Sequence, residues 1–290
     1  MLITTLNDIS DLEFLNTYAN GIVVYTNDFS CVYNKAYSLD EIKEIYKNKK
    51  DLLMFIDISC MMENKDIAEL SNFIDSIKDL DVYYYYIDLG VHQLLKDKNL
   101  ENRGVFNPNT LITNSYDLNF YLRQNMLTCQ ISNEIPLVDQ IKMSNSVNNN
   151  IWLKSFGYMQ MFHSKRHLIS LYEDHLNKKI ERDNMNSYLR EAKREDFYHI
   201  YEGKRGTLLF RHYVIDYLNE LELIKPKYIF LDSIFINNDT YKEVVKTYSL
   251  YLNNKLSKSD ALNIINSLNL KIENGFKFKD TVYKKEEANE

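Results

Sequence analysis

The chain has 290 residues, 45% of them hydrophobic and 26% charged, with only seven Gly and three Pro, so it can bury a sizeable core but has no composition for a flexible linker, a collagen-like tract or a low-complexity region. No apolar run approaches the roughly 18 residues of a membrane helix, and the N-terminus lacks the basic and apolar regions of a signal peptide, so a cytoplasmic protein without a membrane partner is expected. A net charge of −6 argues against nonspecific nucleic-acid binding by the chain as a whole.

In chain order, short apolar runs occupy 2–6, 21–26, 52–57, 82–88, 104–107, 127–132, 151–156 and 228–232. Several are unbroken, as in Leu52-Leu53-Met54-Phe55-Ile56, which is how strands buried on both faces read. Amphipathic helical segments fill the gaps at 8–18, 38–47, 64–80, 91–98, 115–125, 135–143, 164–175 and 240–253. Ser38-Leu39-Asp40-Glu41 matches a capping box, with Ser38 as N-cap. Eight strands each followed by a helix predict an α/β fold, a closed (β/α)8 barrel of the TIM type, as one domain over residues 1–276. An open doubly wound sheet is the alternative, but no GxGxxG or GxxxxGK[ST] stands at any strand-to-helix turn.

Between the seventh and eighth strands lies an insertion, about 177–223, in which β-like runs at 197–202 and 206–213 meet at Gly203-Lys204-Arg205-Gly206, a predicted hairpin. A short helix is expected at 216–223, and a charged, frayed tail at 277–290. The stretch from Asn150 to Tyr213 carries twelve Lys and Arg against eight acids, a local +4 that leaves −10 on the remainder. Such an excess can meet a phosphate backbone; a solvated basic face accounts for the same count.

In a barrel of this kind ligands sit at the C-terminal strand ends, where the sequence places Asp57, Asp88, Asn107, Asn114, Glu134, His163 and Asp232. Any of these also serves as a helix cap in the ordinary case. Glu134, His163 and Asp232 are the candidate catalytic residues. From Phe156 to His167 the chain runs through a glycine, Met and aromatic residues into a predicted helix at Ser164, with Lys165, Arg166 and His167 in its first turn. Cations there oppose the helix dipole, which points to an anionic neighbour or ligand. Arg166, Lys165 and His167, with Arg211 in the hairpin, are therefore the candidate anion- or RNA-binding residues. His163 and His167 have metal-chelating spacing but no third ligand nearby, so no metal site is expected. Cys31, Cys60 and Cys129 are odd in number, far apart in sequence and outside any CxxC, and are expected to be reduced buried thiols.

Four stretches resemble the peptidase U32 family of collagenase-like proteins. Leu111-Ile112-Thr113-Asn114-Ser115 resembles the family's NS turn, and Ile131-Ser132-Asn133-Glu134-Ile135-Pro136-Leu137 its LSRELSL run. Phe156-Gly157 through His167-Leu168-Ile169-Ser170 resembles the signature hGxxCxxxSGRCxxS, and Lys227-Tyr228-Ile229-Phe230-Leu231-Asp232 the KIEGR strand. Gly206-Thr207 resembles the GT before a family β-segment. The resemblance implies a (β/α)8-type barrel and, from the family name, proteolysis, although its better understood members hydroxylate RNA bases or quinone precursors.

In those members cysteines, two of them in the signature, hold an iron–sulfur cluster. The RNA-acting bacterial members hydroxylate the wobble uridine of tRNA with prephenate implicated as oxygen source, and several work as paired long and short paralogues. Here Gln160 and His167 stand where the signature cysteines would be and Lys165 where its second glycine would be; Arg166, Glu134 and Asp232 remain, the last in place of the family glutamate. A [4Fe–4S] cluster takes four thiolates and the chain has three Cys, so no cofactor of its own is expected. The resemblance thus implies a cluster-free partner of a longer U32-like paralogue in tRNA uridine 5-hydroxylation. The alternatives are a collagenase-like protease, and a small-carboxylate enzyme that holds a prephenate-like ligand through Arg166.

Overall fold

The computed structural model describes residues 1–180, 183–193 and 195–279. Seven parallel strands come first: β1 (Leu2–Thr5), β2 (Gly21–Tyr25), β3 (Leu53–Ile58), β4 (Tyr83–Tyr86), β5 (Gly104–Phe106), β6 (Thr128–Gln130) and β7 (Ile151–Ser164). Helices α1 (Leu12–Tyr18), α2 (Leu39–Asn48), α3 (Asn64–Asp75), α4 (Leu89–Asp97), α5 (Ser115–Leu122) and α6 (Leu137–Ser146) alternate with them. After β7 come α7 (Leu168–Leu176), β8 (Tyr188–Arg190), β9 (Phe197–Gly203), β10 (Gly206–Asp216) and α8 (Leu221–Ile224). The chain ends in β11 (Tyr228–Leu231), α9 (Asn238–Leu252), α10 (Lys258–Ser267) and β12 (Ile272–Glu273).

Strands β1 to β7 pair in sequence order, and β11 pairs in parallel with both β7 and β1, so the ring closes as an eight-stranded parallel barrel. Its interior is filled by Ile3, Val23, Phe55, Tyr85, Val105, Trp152, Tyr228 and Phe230. The Trp152 ring stands 5.0 Å from Phe55, 5.3 Å from Tyr85 and 5.4 Å from Phe230. A second, larger core lies between barrel and helices; strands with an apolar core on each side are why the sequence shows unbroken apolar runs rather than alternation. The Ser38 capping box forms, Ser38 Oγ accepting from Glu41 N and Glu41 Oε2 from Ser38 N.

The expected hairpin forms: β9 and β10 pair antiparallel with Gly203 opposite Gly206 and only Lys204 and Arg205 between them. Beside it the structure corrects the reading of 156–170. The seventh strand does not stop at Phe156; it runs on to Ser164, with its outer half antiparallel to β10. Gly157, at φ +131°, allows the departure, since a Cβ there would lie 2.7 Å from the Asp232 carbonyl oxygen. Helix α7 consequently begins at Leu168 rather than Ser164, and Lys165, Arg166 and His167 precede it.

Residue 216 ends a strand instead of starting a helix. α10 was not expected, although Ser257 caps it by accepting from Asp260 N. Nor does the tail fray from Lys277: that side chain is buried, donating to Glu220 Oε2 at 2.8 Å and the Asp216 carbonyl at 2.7 Å. The remainder of the expected tail, 280–290, lies outside the described residues.

Candidate functional site

Side chains of a strand alternate between its faces, so the residue two positions after a barrel-core residue points into the barrel one layer higher. From Val23, Phe55, Tyr85, Val105, Thr128, Trp152 and Phe230 this parity reaches Tyr25, Asp57, Ile87, Asn107, Gln130, Lys154 and Asp232, and all seven line one cavity of about 80 Å³ at the C-terminal mouth. Met159 and Phe210 wall it from the side of the β7–β10 extension, Glu134 from the loop after β6, and Cys31 from the loop after β2. The volume suits a few waters or a small polar group.

Above the aromatic core the layer is hydrogen-bonded into two groups. Lys154 Nζ donates to Asp232 Oδ2 at 2.7 Å and to the Tyr158 carbonyl at 2.6 Å, while Tyr25 Oη donates to Asp232 Oδ1 at 3.4 Å. Across the pocket, Asn107 Nδ2 donates to Tyr85 Oη, which donates to Gln130 Oε1, both at 2.7 Å. Asp57, buried, accepts from Ser59 Oγ at 2.6 Å. Burial pushes its carboxyl up to about 7, against the hydrogen bonds that favour the anion. A carboxyl poised there can take or give a proton near neutral pH.

The candidates from sequence separate. Glu134 and Asp232 line the same cavity, and Arg211 Nη2 donates to Glu134 Oε1 at 2.9 Å. Asp88 and Asn114 are caps: Asp88 accepts from Gly90 N and Met62 N, Asn114 from Tyr116 N and Asp117 N. His163 is carried out on the β7 extension, where its Nε2 lies 3.6 Å from Cys31 Sγ. Arg166 and His167 are exposed on the turn before α7, and Lys165 pairs with Glu63 at 2.8 Å; none of these three lines the cavity.

The anion expected at the start of α7 is supplied internally. Glu202 accepts from Ile169 N at 2.7 Å and from Ser170 N and Ser170 Oγ, so a carboxylate of β9 fills the helix N-terminus. Arg166 does not meet that anion; its backbone N–H donates to Ser164 Oγ and its carbonyl accepts from Thr207 Oγ1.

Tyr25, Gln130 and Lys154 were missed as site residues, and the signal for them was the parity just described, with a lysine inside the apolar run 151–156 as its clearest mark. Cys31 and Cys60 were missed as a pair. Their sulfurs are 3.1 Å apart, although 28 residues stand between them in sequence, while the Cys129 sulfur packs 3.9 Å from Met126 Sδ. Among the described residues no group of three or more His, Cys, Asp and Glu is placed to hold a metal ion. The donors present thus do not make the four-thiolate set of a [4Fe–4S] cluster.

A family model described as Peptidase family U32 matches residues 12–286. The chain is similar to tRNA hydroxylation protein P2 of Bacillus subtilis (strain 168), at 22% identity over 304 residues, covering 98% of each protein. Among solved structures it is similar to N-(5'-phosphoribosyl)anthranilate isomerase from Pyrococcus furiosus, with a TM-score of 0.47 and 11% identity over 86% of this chain and 98% of that one. It is also similar to thiamine phosphate pyrophosphorylase from Pyrococcus furiosus, with a TM-score of 0.41 and 11% identity over 91% of this chain and 94% of that one. With the match running from α1 past the last described strand, the chain belongs to peptidase family U32.

Proposed function

We propose that this protein is a cluster-free subunit of a tRNA wobble-uridine 5-hydroxylation system and acts with a longer U32 paralogue. The observation that carries the reading is the end-to-end similarity to a tRNA hydroxylation protein, 98% of each chain. Three features of the chain support the division of labour. Gln160 and His167 stand at the signature cysteine positions, and the three cysteines lie at two separate places. Arg166 and His167 are exposed beside Lys165 on one turn, where cations can meet a phosphate backbone, with Arg211 nearer the cavity wall. Leu171, Tyr172 and Leu176 of α7 and Tyr188, Leu189 and Phe197 of β8 and β9 are exposed apolar side chains of the kind a partner protein covers.

A peptidase would need a nucleophile open to an extended chain. The thiol nearest a histidine, Cys31, is 4% exposed beside a cavity of about 80 Å³, which favours small molecules. A prephenate-like co-substrate belongs, on this reading, to the assembled system, since Arg166 stands outside the cavity. The test is deletion of this gene alone, with tRNA nucleosides quantified by mass spectrometry and the tagged protein recovered from native lysate. Loss of 5-hydroxyuridine derivatives together with recovery of a longer U32 protein is the expected outcome; unchanged modification in the deletion strain overturns the reading.

A further inference from the structure

Cys31 lies in the loop after β2 and Cys60 in the loop after β3, parallel neighbours whose register holds the two loops side by side. Each loop is also pinned to the other: Cys60 N donates to the Phe29 carbonyl at 3.1 Å and Cys31 N to Ser59 Oγ at 3.3 Å. The two sulfurs consequently stand 3.1 Å apart, about 1 Å beyond the ~2.05 Å of a disulfide bond. Cys60 is fully buried, whereas Cys31, 4% exposed, lines the barrel cavity. A small molecule in the cavity therefore reaches Cys31 and not Cys60.

The surroundings favour a thiolate on Cys31. A hydrogen bond joins the Cys31 and Cys60 sulfurs and favours the Cys31 anion once Cys60 is its donor, His163 Nε2 lies 3.6 Å away on β7, and the Arg205 guanidinium in the β9–β10 turn adds positive charge. Arg205 is held in place by Asp66 Oδ1 at 3.0 Å and the Asp28 carbonyl at 2.6 Å. Asp57 at the end of β3 and Tyr201 of β9 are the other titratable groups that feel the Cys31 charge. With the Cys60 hydrogen bond as the largest influence, followed among the favourable ones by His163 and then Arg205, the Cys31 thiol is drawn below its ordinary value in spite of its burial. Cys60 is pushed the opposite way by the same hydrogen bond and by burial. Cys129, buried apart from them, is also raised.

We propose that Cys31 and Cys60 are a reversible redox pair at the barrel mouth, in which Cys31 attacks a hydroperoxide admitted to the cavity and Cys60 resolves the product to an intramolecular disulfide. His163 takes the Cys31 proton, and the thiolate attacks one peroxide oxygen; the S–O bond forms, the O–O bond breaks, and the departing oxygen leaves as an alcohol or water with that proton. Cys60 then attacks the Cys31 sulfur; the S–S bond forms, the S–O bond breaks, and hydroxide leaves as water with the Cys60 proton. One peroxide is reduced by two electrons, two thiols are oxidised, and a dithiol reductant reverses the change by thiol–disulfide exchange. The reading does not depend on a role in tRNA modification.

The test uses the reduced full-length chain, one equivalent of hydrogen peroxide, and peptide mapping without reductant. The expected product is a single Cys31–Cys60 linked peptide, reversed by dithiothreitol, with Cys129 unmodified. Links that involve Cys129 or a second copy of the chain, or both thiols remaining free, overturn the proposal. In Cys60→Ser the expected product is a Cys31 sulfenic acid trapped by dimedone. Should that variant fail to fold, the wild type still decides. The rate of Cys31 alkylation by iodoacetamide should rise through a midpoint below the ordinary thiol range, and His163→Gln should raise that midpoint. A wild-type midpoint in the ordinary thiol range, about 8.5, overturns the proposal.

Discussion

Asp57 sits in the polar layer above the Phe55–Trp152 core, and its replacement by Asn tests whether that layer holds a carboxyl neutral. Burial raises the folded carboxyl from 3.8 to about 7, so between those values the unfolded chain has released a proton that the folded chain retains. Stability contributed by this residue is therefore greatest below the unfolded value, falls as pH rises through the window, and levels off above the folded value. At ~1.4 kcal/mol per pH unit the full window amounts to about 4 kcal/mol. The part between pH 5 and pH 8 amounts to roughly 2.5 kcal/mol. Asn keeps an oxygen for the Ser59 hydroxyl but cannot ionise, so Asp57→Asn should lack this pH dependence. Thermal unfolding of both proteins at pH 5 and pH 8 reads the term, and making the comparison in a Cys31→Ser background removes the coupled titration of Cys31. The melting-temperature difference should move by roughly 4 °C in favour of the variant at pH 8. A difference that stays constant across the range refutes the argument that Asp57 is held neutral.

Two further outcomes follow from geometry at the same end of the barrel. Lys154→Met leaves the Asp232 carboxylate, whose side chain is 11% exposed, without its cation; guanidinium unfolding should report a loss of ~3–5 kcal/mol, largely recovered when Asp232→Asn is added. A loss below about 1 kcal/mol would show the pair to be screened like a surface one. Gly206→Ala places a Cβ 2.0 Å from the Ser164 carbonyl at a backbone φ of +118°, so the hairpin should separate from the outer half of β7. Faster limited proteolysis within 183–206 is the expected readout, and an unchanged cleavage pattern counts against the strand pairing.

How far the amino-acid pattern reaches depends on the range over which each feature is determined. Eight apolar runs with helices between them specify a parallel sheet covered on both faces, since such strands cannot alternate in polarity; the pairing of β11 with both β1 and β7 is what closes it. The capping box at Ser38 and the turn at Gly203-Lys204-Arg205-Gly206 are equally local, settled by a few neighbouring residues. Three of the seven residues of the cavity layer could also be read from the strands, since Asp57, Asn107 and Asp232 end apolar runs, and parity extends the same reading to Tyr25, Gln130 and Lys154.

The segment from Phe156 to Ser170 shows where that range ends. Its cations read as the first turn of a helix awaiting an anion, but its strand continues because β10, 50 residues later, offers a hydrogen-bonding edge, and the anion is Glu202. The cysteines are the same case. By spacing alone Cys31 and Cys60 are unrelated, and the register of β2 against β3 brings their sulfurs into contact while the β7 extension delivers His163. The βα units of the barrel, its caps and its hairpin were thus determined by local periodicity and turn chemistry. Which polar groups face one another at its mouth was decided only by tertiary structure, because strand register and the antiparallel β7–β10 pairing are long-range constraints.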